Sequence, residues 1–337
     1  MSNDQESPLT NEPIIKRKTV LIFGISSFVG SSLAEFFSRD YRVVGTYHKT
    51  HITIPGVLML PCDVLAKEEV QLVLFATKPD ITIYCVGMSS IIDCALDEER
   101  ADALNTSGLF NVTEYCQRYK SQIIYISSNF VFAGEDKQYL EMDIPDPNTM
   151  YGKTQASAEF YIQKTSLNYL VFRVCRLYGR GINGTKETFF EKFQRLINER
   201  ANIEIDDYVS TGFLDVYYLG MIIKLAIEKG IQNRLFQISS NDKMTYYEFI
   251  KTYADVFGET DHGVSRTRWA YPVMASAHAN APSDNRLHFK LDVTNVEGFM
   301  RVKLPNVRES LEFTFNRYKG VKKSSRLSSQ GDGISFI

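Results

Sequence analysis

From Thr19 to Val174 the chain alternates two hydrophobic patterns. Short runs nearly continuous in Val, Ile, Leu, Phe and Tyr recur at Thr19–Phe23, Arg42–Thr46, Val57–Leu60, Ile81–Cys85, Gln122–Ser127 and Tyr169–Val174. Strands buried on both faces read this way, whereas half-solvated strands alternate. Between the runs, apolar residues fall at helical spacing over Ser31–Arg39, Lys67–Ala76, Glu98–Arg118 and Gln155–Thr165. Strand–helix–strand order repeated in this way predicts a parallel sheet with helices on both faces. The second half is mixed, with helical patterns at Thr188–Glu199, Leu219–Lys229 and Thr245–Phe257 and a loop pattern over Tyr271–Asn285. Both ends, residues 1–16 and 321–337, carry too little apolar surface to offset the entropy of ordering and are expected to be tails.

Composition narrows the function. The 337 residues carry 38 Lys+Arg against 40 Asp+Glu, a balance that disfavours a nucleic-acid binder. With 44% hydrophobic and 23% charged residues the chain reads as globular. No apolar stretch approaches the roughly 20 residues of a membrane span, and the polar N-terminus lacks the core of a secretory signal. Five cysteines without a CxxC pair suggest buried free thiols and a cytoplasmic setting. His48 and His51 have no further ligands nearby, so no metal is expected.

The first strand runs into Gly24-Ile25-Ser26-Ser27-Phe28-Val29-Gly30 and then a helix. A glycine-containing turn at this place is where a dinucleotide diphosphate sits, met by backbone N–H groups and a helix N-terminus. Gly24 permits the tight turn and Gly30 close packing of the helix. Ser27 stands where the GxxGxxG pattern wants a third glycine, and its Cβ narrows the approach. The second strand ends in Gly45-Thr46-Tyr47-His48-Lys49 without the acidic residue that favours NAD. His48 and Lys49 could instead meet a 2′-phosphate, which favours NADP(H), with NAD(H) as the alternative; a solvated surface Lys is the other reading of Lys49. Asp63, after the third strand and beside Val64, could accept a hydrogen bond from the adenine amino group.

In order along residues 18–318, the pieces GISSFVG, CDV, KPDITIYCVG, LNTSGLFNVTEYC, YISSNFVFAG, MYGKTQASAE, FRVCRLYGRG and KLPNVRESLEF make the chain resemble an extended short-chain dehydrogenase/reductase. The resemblance is to the dTDP-4-dehydrorhamnose reductase group, which includes the methionine adenosyltransferase β-subunit-like proteins. It implies an α/β fold: a Rossmann-type doubly wound parallel sheet over 17–177 plus 213–240, with a smaller, interleaved substrate domain over 178–212 plus 241–318. It implies Asn105, Ser128 and Tyr151 as catalytic residues, Tyr151 as the proton donor. Val86, Gly87 and Met88 would line the cofactor, and Asn129 and Arg176 would meet the substrate, a nucleotide-linked 4-keto-6-deoxy sugar. Arg180, Lys186 and Arg286 are basic residues that could meet its diphosphate, and Trp269 could stack on a base or sugar, but a solvated surface position suits each of the three charges better and packing suits Trp269 better. A homodimer or a regulatory partner enzyme is compatible with the same group.

One position departs. Ketone reduction needs a proton donor, and a phenol with a reference pKa of about 10 serves better when a cation lowers it. The usual device is a lysine four residues on, one helical turn away. Here that residue is Gln155, which can hydrogen-bond the nicotinamide ribose but carries no charge. Lys153 lies roughly 200° around the helix and faces elsewhere. Three readings therefore stay open: a working reductase with an altered proton path, a non-catalytic NADP or nucleotide-sugar binder, and a regulatory subunit.

Overall fold

The computed structural model describes residues 17–182, 185–269 and 286–319. The two expected tails and the loop expected over Tyr271–Asn285 lie outside these residues. The main sheet is built from β1 (Thr19–Phe23), β2 (Arg42–Tyr47), β3 (Leu58–Pro61), β4 (Ile81–Tyr84), β5 (Gln122–Ser128), β6 (Tyr169–Val174) and β7 (Arg234–Ile238). The first six fall within one residue of their expected bounds. Its order is β7-β6-β5-β4-β1-β2-β3, and every pairing is parallel.

The helices cover both faces. On one side α1 (Phe28–Phe37) and the helix Val216–Glu228 packed beside it bury Leu33, Phe37, Leu219 and Ile223 against Val20 and Ile22. On the other side α2 (Lys67–Thr77), α3 (Gly108–Tyr119) and α4 (Met150–Thr165) bury Leu74, Val112 and Ile162 against Leu21 and Phe23. Alternate residues of β1 thus serve two cores, which is why Val20–Phe23 has no polar position. The doubly wound reading holds. Strand order reverses at β1, which lies between β2 and β4, so a crevice opens at the carboxyl ends of β1 and β4.

Three helical expectations need correction. The first helix begins at Phe28 and not at Ser31, because Ser27 caps it. The single helix expected over Glu98–Arg118 is broken: an α-helical segment Glu98–Asp102 leads into a π-helical turn, Ala103–Ser107, before α3 starts at Gly108. Hydrophobic spacing does not register the extra residue of a π turn, which shifts the helix face without interrupting it. The fourth helix also starts earlier than Gln155, at Met150, where Thr149 caps it by accepting from the Gly152 N–H at 3.1 Å.

Above the crevice lies a third core. It gathers Tyr178, Phe190, Phe193, Phe213, Phe249 and Phe289 around a small sheet in which Val209–Thr211 and Leu287–Leu291 are the inner strands. Gln138–Tyr139, from the first half of the chain, completes one edge of that sheet. The small sheet and its helices form one wall of the cleft described next.

Candidate functional site

The crevice is a cleft of about 260 Å³ lined by the α1 N-terminus, the segment after β4, the end of β5, the start of α4 and the strand Arg176–Tyr178. Each wall has a local cause. Gly24 takes φ +79°, and a Cβ there would stand 2.6 Å from the Cys85 carbonyl oxygen. A Cβ on Gly30 would stand 2.4 Å from the Gly24 carbonyl oxygen, so both glycines are needed for the helix start to press onto the turn. Ser27 accepts a hydrogen bond from the Gly30 N–H at 3.0 Å, which turns its side chain back onto the helix. Ser27, Phe28 and Val29 line the cleft, whereas Ser26 does not.

Gly87 has φ +153° and lies so close to Asn105 that a Cβ would stand 2.4 Å from its Oδ1. Asn105, in the π-helical turn, accepts from the Met88 N–H at 2.8 Å and donates to the Met88 carbonyl at 3.1 Å and to Thr154 Oγ1 at 2.9 Å. Its amide is therefore spent on holding Val86–Met88 against α4. That makes Asn105 a positioning residue in this arrangement, although it lines the cleft.

Ser128 ends β5 and Tyr151 opens α4. The Ser128 hydroxyl accepts from the Phe130 N–H at 3.2 Å and donates to Asn129 Oδ1 at 3.2 Å, while Asn129 donates to Thr211 Oγ1 at 2.8 Å. Desolvation pushes the Tyr151 phenol up to about 12; a hydrogen bond with Ser128 and the positive charge of Arg176 work in the opposite direction. Gln155 is buried, and its Oε1 accepts the Tyr125 phenol at 2.7 Å. Burial holds Tyr125 well above the ordinary range of a phenol, so this hydrogen bond joins two neutral groups. Lys153 is exposed, as its position around the helix requires.

The structure brings together Ser27, Phe28, Val29, Val86, Gly87, Met88, Asn105, Ser128, Asn129, Tyr151, Gln155 and Arg176 in one cleft. His48, Lys49, Asp63 and Val64 lie outside its lining. His48 and Lys49 are exposed, and His48 Nε2 stands 3.8 Å from Asp63 Oδ2. Asp63 Oδ1 accepts from the Leu65 N–H at 3.0 Å, and Val64 is buried against Gly108. Outside the lining, Arg286 pairs with Asp207 at 2.8 Å, and Trp269 packs against Tyr246, a lining residue, with ring centroids 5.2 Å apart.

Sequence reasoning missed a buried charge pair directly behind the cleft. Glu159 on α4 and Arg173 on β6 meet at 2.8 Å with side chains 1% and 3% exposed. Ser127 donates to Glu159, and Arg173 donates to the Glu141 carbonyl at 3.2 Å and stacks 4.9 Å from the Phe132 ring. The pair ties β6 to the helix bearing Tyr151, and through Ser127 it also holds the strand bearing Ser128. Its available signal was Glu159 falling at four-residue spacing on the same helix face as Tyr151 and Gln155.

A doubly wound parallel sheet with these side chains converging on its switch point is the architecture of the extended short-chain dehydrogenase/reductases. Within that class, the chain belongs to the family described as the RmlD substrate binding domain, whose model matches residues 18–319. The β subunit of methionine adenosyltransferase 2 from Bos taurus is 26% identical over 253 residues, 72% of this chain and 73% of that protein. A Haloferax volcanii protein described as a probable low-salt glycan biosynthesis reductase, Agl14, is 24% identical over 304 residues, 88% of this chain and 98% of its own length. In three dimensions the chain resembles the dTDP-4-dehydrorhamnose reductase of Bacillus anthracis, crystallised with NADP: TM-score 0.75, 21% identity, 89% of this chain and 98% of that one.

Proposed function

We propose that this chain binds a nicotinamide dinucleotide along the crevice, NADP(H) in preference to NAD(H), and reduces a nucleotide-linked 4-keto-6-deoxy sugar. The observation that carries the reading is the Tyr151 phenol beside the Ser128 hydroxyl in a cleft that also holds the α1 N-terminus. The names of the Bacillus and Haloferax proteins support it.

The residues present fit the cofactor. Gly24 and Gly30 leave no Cβ in a turn that has no room for one, and the helix N-terminus offers amides without intrahelical partners. In this reading Ser27, Phe28 and Val29 hold the diphosphate, Val86–Met88 flank the nicotinamide side, and Asp63 and Val64 meet the adenine. His48 and Lys49, on the exposed edge beyond β2, meet a 2′-phosphate. When bound in its reduced form, the cofactor supplies a hydride. Ser128 then polarises the carbonyl oxygen, and Tyr151 gives that oxygen the proton from its Oη, leaving a phenolate that is reprotonated from water. Asn105 keeps the Gly87–Met88 backbone in register with α4 through its three hydrogen bonds.

A second reading, a regulatory or binding subunit without turnover, is favoured by Gln155. Its carbonyl is occupied by Tyr125 and it brings no charge to Tyr151; the name of the Bos taurus relative points the same way. The experiment is NADPH consumption, followed by absorbance, with a nucleotide 4-keto sugar. We expect turnover in the wild type and a loss of about 100-fold or more in Tyr151→Phe, with the NADPH-induced rise in melting temperature retained. A melting shift without turnover selects the regulatory reading. No shift with either NADPH or NADH overturns the cofactor assignment.

A further inference from the structure

The lysine missing at position 155 leaves a question of charge, and a different part of the fold brings a cation to the same cleft. After Cys175 the chain leaves β6, and the strand Arg176–Tyr178 pairs with Phe213–Asp215. Arg176 thereby enters the cleft from outside α4. Its guanidinium stands 4.8 Å from the Phe189 ring and 5.9 Å from the Tyr246 ring, two aromatic faces that hold a cation without neutralising it. Its Nε is buried and has no hydrogen-bond partner. The ion pairs found among the described residues engage Arg173, Arg195, Arg266, Arg286, Arg308 and Arg317 but not Arg176. A guanidinium so placed is stabilised when negative charge develops beside it.

We propose that Arg176 is the cation that stabilises the Tyr151 phenolate, the task a lysine at position 155 would perform. The charged or titratable groups facing the phenol are Cys94 from the segment Ile91–Leu96, Tyr125 from β5, and Arg176. Cys94 is itself pushed up to about 11, first by burial, and acts against a phenolate, whereas Tyr125 is held higher still and stays neutral. Arg176 acts in its favour. When the Tyr151 O–H bond breaks and the proton moves to the substrate oxygen, the negative charge left on the phenol oxygen is met by the guanidinium; water later returns the proton. No oxidant or reductant is involved in this step.

The use of this charge rests on the reductase reading, but its test does not. A ring-fluorinated tyrosine placed at position 151 of the full chain, more acidic than tyrosine, is titrated by fluorine NMR without substrate or cofactor. Arg176→Met is expected to raise its titration point by about one unit, Arg176→Lys to keep most of the wild-type value, and Arg176→Met with Gln155→Lys to restore it. In NADPH consumption the same unit corresponds to about a tenfold loss. A titration point unmoved by Arg176→Met, or moved equally by Arg176→Lys, overturns the proposal. A shift of the expected sign in a protein that never consumes NADPH upholds the cation and overturns the reductase reading instead.

Discussion

Helix α4 carries two polar arrangements two turns apart, and they are built on opposite principles. At Glu159 a full negative charge is buried and answered on every side: by Arg173 at 2.8 Å, by Ser127, and through Arg173 by the Glu141 carbonyl. At Tyr151 the groups that α4 itself supplies are neutral, the phenol is pushed up to about 12, and the nearest helical neighbour in register, Gln155, spends its carbonyl on Tyr125. Gln155 lies one turn from each arrangement. A lysine there would face both Tyr151 and Glu159, yet Glu159 already has its cation. The comparison teaches that charge behind the cleft is structural and fixed, whereas charge inside the cleft is left to the arginine from the second half of the chain.

The largest expected effect comes from breaking the structural pair. Glu159→Ala strands the Arg173 guanidinium in a buried site, and we expect a loss of about 3–5 kcal/mol in urea unfolding. Replacing both partners, Glu159→Leu with Arg173→Met, should recover most of it, because two apolar groups leave nothing unpaired. A single-mutant loss below about 1 kcal/mol would class the pair with surface ion pairs and remove the contrast.

Next in size is Gln155→Lys, which puts a charge at the neutral end. Reduction needs Tyr151 protonated, so a phenol near 12 keeps the wild-type rate free of a titration of this group through neutral pH, with loss only on the far alkaline side. A lysine one turn away favours the phenolate, so the alkaline limb should move to lower pH. A shift of two units would correspond to about 2.7 kcal/mol and would appear as faster proton donation at neutral pH. A pH profile of NADPH consumption checks this. An unmoved limb would mean that the lysine turns to Glu159.

Much of this arrangement could be read from the chain, and the part that could not has a physical reason. The runs TVLIF and YLVFRV are strands because both faces of the sheet are covered, and continuous apolarity registers that condition directly. The four-residue spacing of Tyr151 and Gln155 puts them on one face only if one helix holds both, and the start at Met150, earlier than the Gln155 expected from the pattern, supplies that helix. The π-helical turn at Asn105 was invisible, because its cause is a tertiary bond to Met88 and not a local preference. The same holds for Arg173 and Glu159, which look like ordinary surface charges until β6 and α4 are packed together. Arg176 was legible as a position but not as a charge aimed at Tyr151, since its path depends on Phe189 and Tyr246, far along the chain.

The smallest effect tests the other end of the cleft, where Ser27 replaces a glycine. Its hydroxyl occupies the Gly30 N–H at 3.0 Å, one of the amides a diphosphate would otherwise reach. Ser27→Gly removes the cap, which should cost only a few tenths of a kcal/mol in thermal unfolding, because glycine is itself tolerated at a helix start. It also frees one donor and removes the Cβ. One added hydrogen bond to an anion is worth about 1 kcal/mol, roughly fivefold in affinity. We therefore expect NADPH to bind more tightly to Ser27→Gly by calorimetry while the unliganded protein melts slightly lower. Weaker binding would show that the serine hydroxyl itself meets the phosphate, turning away from Gly30 when the dinucleotide arrives.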